Sequence, residues 1–420
     1  MIFRKNPIYF IVFISSILIT SLFLLLLPKN WKVNESTDYS SFYEPVARNI
    51  LAGKGYTRSG DSIDSFYPPG YPLILAMVFG LSKALYIPEN VMITVFQVIL
   101  TTVSVVLIFH LAQKVTNTKA ALIAALVWMT YPFQLWLTKQ PNSEIPFMAI
   151  LFSGCAILFS ASCFQICKKS PYLISGLFIG LAILTRPIAI LFPLVLVISL
   201  YFSLSNIPGR KKVLLSIVFI TGVLLPIIPW ESFVYAKTGK VVLISENSSM
   251  ALRGGLVFAI SDNAYKQPVS VPPDVRLLMM EIKEQYDDLS SNEKIISFIG
   301  AKIIKTPLTI IKLFGIKALR SWYATDRQSY EKYIVLIQLP YVFLIISGSF
   351  LALKRGKTAR KVLIGIWLLT LCNWGMTILV TSTLRYMVPV IGLQFVNIAH
   401  VPFFFFQRDQ YQRNPRNSNS

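Results

Sequence analysis

The feature that most constrains this chain is a series of long apolar runs that are neither broken by charge nor alternating with polar residues. Crossing a bilayer core takes about 20 apolar residues, and hydrocarbon admits only helices or closed barrels, because every backbone N–H and C=O must be satisfied internally. Continuous runs select helices over a barrel. They predict ten spans, near residues 7–27, 91–113, 120–137, 146–167, 171–185, 187–204, 212–235, 332–353, 361–381 and 386–406. With 54% hydrophobic and 14% charged residues, the chain carries more apolar surface than one soluble core can hide. The expected fold class is an all-α polytopic membrane protein.

Lys and Arg collect in cytoplasmic loops. Ten spans with both termini inside give six cytoplasmic segments holding seventeen basic residues, from Arg4 and Lys5 to Arg408, Arg413 and Arg416, and one acidic residue, Asp409. Topology therefore accounts for the +21 charge without a nucleic-acid partner. The first run has no small-residue cleavage site before Pro28, so it reads as a retained helix.

Two outer segments, 28–90 and 236–331, exceed the length of connectors. In the first, Tyr71 to Leu85 reads as an interfacial helix entered through Pro68, Pro69 and Pro72. In the second, Lys302, Lys305, Lys312 and Lys317 predict a helical flank lying on lipid headgroups. Residues 1–406 form a single domain, and the polar stretch 407–420 reads as a disordered cytoplasmic tail. Cys155, Cys163, Cys167 and Cys372 lie in or beside apolar runs, as do His110 and His400. Neither a disulfide framework nor a metal cluster is expected, and no cofactor is called for.

The candidate chemistry sits at the outer ends of the spans. Asp38 lies about ten positions past the first span, as a base or as a solvated carboxylate or helix cap. Glu144 lies between two spans, placed to orient an acceptor, to hold an Arg, or merely to face water. Arg186 and Arg385 each end a helix, where a guanidinium clamps phosphate oxygens or snorkels to lipid phosphates. Arg48, Lys54 and Arg58 are further cations of the first loop. Its rings, Tyr39, Phe42, Tyr43, Tyr56, Phe66, Tyr67 and Tyr71, stack on a sugar or anchor the interface. Asn34-Glu35-Ser36 and Asn247-Ser248-Ser249 are outer-side sequons.

The order of short motifs adds a resemblance. Asp38-Tyr39, Ala47-Arg48-Asn49-Ile50-Leu51-Ala52-Gly53-Lys54-Gly55-Tyr56 and Tyr67-Pro68-Pro69-Gly70-Tyr71-Pro72 are followed by Pro141-Asn142-Ser143-Glu144, Leu184-Thr185-Arg186-Pro187, Pro229-Trp230 with Gly239, and Arg385-Tyr386 with Pro389. This set resembles the polyprenyl-phosphate-sugar-dependent glycosyltransferases of the C superfamily, the protein mannosyltransferase and lipid A aminoarabinose transferase relatives, over about residues 1–406. One departure is that relatives often carry Arg-Asn where this chain has Phe233 and Val234.

The resemblance implies an inverting transfer from a polyprenyl-phosphate-sugar donor to a hydroxyl acceptor, in contact with membrane lipid. It implies Asp38 as general base, Arg385 and Arg186 as donor phosphate ligands, Glu144 as the second-loop acidic residue, and Tyr67 and Tyr71 as stacking rings. The expected location is a multi-pass membrane position, the plasma membrane if the source is bacterial, with the site facing outward. A transporter or flippase of a lipid-linked saccharide is the competing class. It predicts mid-membrane ionisable groups and repeated halves, whereas the acidic residues avoid span interiors and no repeat is visible. A non-catalytic envelope scaffold would not need Asp38.

Overall fold

The computed structural model describes residues 7–31, 36–60, 62–257 and 271–413, with side chains to residue 406. Helices account for its regular structure. α1 (Pro7–Leu26) is followed by a 3₁₀ turn (Lys29–Trp31), a π turn (Tyr39–Tyr43), α2 (Glu44–Leu51) and α3 (Gly70–Leu85). Then come α4 (Glu89–Val115), α5 (Thr118–Met129), α6 (Pro132–Thr138), α7 (Glu144–Cys163), α8 (Ser170–Thr185), α9 (Phe192–Ser203, behind a 3₁₀ stretch Pro187–Leu191) and α10 (Gly209–Thr238). The second loop carries α11 (Ser248–Val257), α12 (Pro273–Glu284), α13 (Asn292–Lys305) and α14 (Pro307–Arg320). α15 (Glu331–Leu353), α16 (Lys357–Leu379), α17 (Leu384–Ile398) and α18 (His400–Arg413) complete the chain.

Every expected span coincides with a helix, and seven or eight of the ten have the length and apolar composition of a full crossing. Among the described residues seven helices are long and apolar enough to span: α1, α4, α7, α10, α15, α16 and the run Leu384–Phe406. α5 and α6 make an eighth only as a pair bent by 54°. The bend falls before Pro132, where the proline ring and the missing N–H interrupt the helical ladder. The two remaining expectations, 171–185 and 187–204, fall on α8, at 16 residues, and on Pro187–Ser203, both short for a crossing. Arg186-Pro187 divides them, because a residue before proline is pushed out of the helical region, and Arg186 is extended here (φ −145°, ψ 114°).

α8 and α10 approach until their backbones touch. A Cβ on Gly176 would lie 2.1 Å from Phe219 O, and one on Gly222 would lie 2.2 Å from Leu173 O. Small residues on both helices make that seam possible.

The interfacial helix expected at Tyr71–Leu85 is present as α3. It starts against the end of α8, where a Cβ on Gly70 would sit 2.6 Å from Leu184 O, and stops at Tyr86 (φ 55°), three residues before α4. Both of its ends therefore sit at the same end of the bundle, so α3 lies across that end. Phe42, Tyr43, Val46, Tyr56, Tyr71, Leu75 and Phe79 form an apolar core there with Trp230 and Val234 of α10. Trp230 is the clamp. Its ring meets Tyr56 edge-on at 4.9 Å and its Nε1 donates to Ile244 O at 3.0 Å. Phe233 and Val234, at the departing positions, make apolar contacts beside that clamp.

The second loop has a core of its own, with Val275, Leu278, Ile282, Leu289, Ile295, Ile310 and Leu313. Of the lysine flank expected on lipid headgroups, Lys305 is exposed and, among the described residues, unattached to α12, whereas the other three make contacts within the loop. Lys302 pairs with Glu281 at 2.6 Å and Lys312 with Asp274 at 2.9 Å, while Lys317 is buried and donates to Gly255 O. Asp274 and Glu281, seven residues apart, share one face of α12 and draw the lysines to it. Ile304, Leu308, Ile311 and Leu319 are among the side chains left exposed on α13 and α14, together with Lys305 and Lys312. Of the expected tail, residues 414–420 lie outside the described residues, as do Arg4, Lys5 and most of the Asn34 sequon.

Candidate active site

Asp38, Glu144, Arg186 and Arg385 come from four distant parts of the sequence and meet at one end of the bundle. Glu144 opens α7, Arg186 follows α8, Arg385 lies in the first turn of α17, and Asp38 precedes the π turn of the first loop. Arg186 Nη1 lies 2.8 Å from Glu144 Oε1 and donates to Ser143 Oγ at 3.0 Å. Arg385 reaches Glu144 Oε1 with Nε at 3.5 Å and Asp38 Oδ2 with Nη2 at 3.6 Å.

Burial separates the roles. Glu144 is 1% exposed and Arg186 8%, so this pair is removed from water, where an unpartnered charge is strongly destabilising. Glu144 faces arginines rather than water. The side chains of Arg385 and Asp38 keep 26% and 37% exposure. Tyr386 fixes both guanidinium groups, its ring centre lying 4.6 Å from Arg186 Cζ and 5.2 Å from Arg385 Cζ.

Tyr67 donates its O–H to Asp38 Oδ1 at 3.1 Å. Burial, and next the Asp38 charge, push its phenol well above the usual tyrosine range, so it stays a donor at any working pH. Tyr71 has no open ring face for a sugar. It is 2% exposed and packs edge-on against Tyr43 at 4.9 Å, so its expected stacking role gives way to packing. Arg48 pairs with Glu44 and Glu89, each at 2.7 Å, stapling α2 to α4, and Arg58 pairs with Asp64. Among the described residues no group of three or more His, Cys, Asp or Glu is arranged to hold a metal ion.

One member of the cluster has no sequence motif to announce it. Asp326 Oδ2 lies 3.0 Å from Arg385 Nη1, the shortest of that arginine's ion pairs. Its only signal is position, an acidic residue a few places before a span, α15.

Residues 67–233 match the family model described as dolichyl-phosphate-mannose-protein mannosyltransferase. A search of curated protein sequences returned no match. Among solved structures, the oligosaccharyltransferase AglB of Archaeoglobus fulgidus, in complex with an inhibitory peptide and a dolichol-phosphate, matches with a TM-score of 0.58 and 14% identity, over 100% of this chain and 53% of that one. The same archaeal enzyme tethered to an acceptor peptide matches with a TM-score of 0.59 and 15% identity, over 100% and 52%. In its apo form it matches with a TM-score of 0.59 and 13% identity, over 100% and 53%. This chain thus spans about half the length of the solved relative. The resemblance read from the motifs holds on two counts: residues 67–233 match a family of lipid-phosphate-sugar transferases, and the whole chain has the fold of the corresponding half of AglB.

Proposed function

We propose that this chain is an integral membrane glycosyltransferase. It moves a sugar from a polyprenyl-phosphate-linked donor to a hydroxyl acceptor, on a glycolipid, polysaccharide or protein, at the outer face of the membrane and with inversion. The observation that carries this reading is the meeting of Asp38 with Arg385, the carboxylate held by Tyr67 and the guanidinium backed by Glu144.

In this scheme the acceptor oxygen bonds to the anomeric carbon as the bond from that carbon to the phosphate oxygen breaks. The acceptor proton passes to Asp38, and the electron pair leaves with the phosphate. Arg385 offers N–H donors to the departing phosphate, and Arg186 adds a second positive charge behind Glu144. A phosphate is a good leaving group and needs little acid assistance, so one open carboxylate suffices. No step of this scheme calls on a metal or cofactor.

Asp38→Asn keeps size and most hydrogen-bond geometry but leaves the proton without a local acceptor. General-base catalysis is worth about 10²–10⁴-fold. The variant is expected to lose that factor in turnover, assayed in membranes with a panel of radiolabelled polyprenyl phosphate sugars, while donor affinity stays. A near-wild-type rate at normal expression would remove Asp38 as the base.

The outer-face assignment rests on the basic segments at the opposite helix ends. Single cysteines at Ser59 and Ser291 are expected to react with an impermeant reagent from outside, and one at Thr358 is not. Reaction at Thr358 would invert the orientation.

A further inference from the structure

Arg385 is held unevenly. Nη1 makes a 3.0 Å ion pair with Asp326, whereas Nε and Nη2 stand 3.5 Å and 3.6 Å from Glu144 and Asp38, beyond good hydrogen-bond length. Nε is buried and makes no hydrogen bond. The Nε–Nη2 edge is the side of a guanidinium that grips two oxygens of one phosphate, and here it is the unsatisfied side.

The segment that carries Asp326 is clamped on three sides. Arg320 and Glu331 form a bidentate pair at 3.0 and 2.8 Å, with side chains 4% and 15% exposed. Glu331 Oε1 also accepts Thr325 N–H at 3.2 Å. Thr325 Oγ1 accepts Ser329 N–H at 3.0 Å, and Leu384 N–H donates to Ala324 O at 2.9 Å, tying the turn to the residue before Arg385. Gln328 and Tyr330 sit at φ 54° and 62°, which side-chain-bearing residues adopt only where surrounding contacts impose it.

The geometry assigns Asp326 as a positioning residue: by fixing the Nη1 corner of Arg385, the clamped turn of the second outer loop aims the Nε–Nη2 edge at the donor phosphate. This rests on the reading of the chain as a lipid-phosphate-dependent transferase. It makes a counter-intuitive demand. Coulomb attraction alone has a phosphate bind more tightly once a neighbouring carboxylate is neutralised, whereas loss of aim weakens binding.

The test is binding of sugar-free polyprenyl phosphate to the full chain in nanodiscs, paired with donor KM and kcat. Asp326→Asn is expected to weaken phosphate binding about tenfold, in KM more than kcat, and Asp326→Glu to recover part of it. In an Arg385→Ala background Asp326→Asn is expected to add nothing, since the two act through one contact. Binding by Asp326→Asn equal to or tighter than wild type, or an undiminished effect in the Arg385→Ala background, overturns the assignment. If wild type itself fails to bind polyprenyl phosphate, the functional reading falls and the assignment with it.

Discussion

The two long loops, 28–90 and 236–331, reach the same arginine by opposite means. The core of the first loop is completed by residues of the bundle. Its rings close onto Trp230 of α10, so the bundle itself is the scaffold for Asp38 and Tyr67. The second loop packs a core of its own and delivers Asp326 through a short turn clamped to α15 and α17. A residue carried by the bundle inherits its rigidity, whereas a residue carried by a separate subunit of structure is only as fixed as the turn that joins the two. On the proposed function, the chemistry falls to the first arrangement and the aiming to the second.

Three variants grade that contrast. The largest effect belongs to Asp38→Asn, with its loss of about 10²–10⁴-fold in turnover. A comparable loss in kcat from Asp326→Asn would erase the distinction between the loops. Tyr67→Phe comes next. It removes one hydrogen bond to a partly exposed carboxylate, a contribution of about 1.5 kcal/mol, so transfer is expected to fall about tenfold. A rate equal to wild type would show that the first loop holds Asp38 by packing alone.

The smallest effect is confined to the second loop and concerns stability. Burial lowers the Lys317 amine to about 7 from its ordinary 10.5. Between those values the unfolded loop binds a proton that the folded loop does not, so stability rises with pH across that window, and below about 7 the advantage is gone. Lys317→Met is expected to flatten that slope. Protease resistance of residues 271–320, followed from about pH 7 to about pH 9, reads it out, and an unchanged slope would place the titration elsewhere.

The helical bundle was legible because span length follows directly from apolar run length. The exceptions are instructive. α8 and Pro187–Ser203 read as spans because hydropathy counts apolar residues, while the break at Arg186-Pro187 limits how far each helix rises. Asp38, Glu144, Arg186 and Arg385 were legible because each stands beside motif residues or at a span end. Asp326 was not, because what places it against Arg385 is a set of partners, Arg320, Thr325, Glu331 and Leu384, brought together only by the fold. The lysines of α13 and α14 misled for a related reason. Helical spacing shows that side chains share a flank, and only the acidic face of α12 decides which way that flank looks.

The brevity of α8 also bears on the shape of the bilayer. At 16 residues it rises about 24 Å, short of a hydrocarbon thickness of about 30 Å. Leu173, Ile174, Leu177 and Leu181 are exposed along it, so lipid tails are what it meets. Tilting shortens its reach further, so a bilayer crossed by this helix would have to thin locally. Such thinning would lower the headgroups toward Arg186, and on the proposed function a phosphate anchored to the leaflet would then meet the protein's cations without rising out of the lipid.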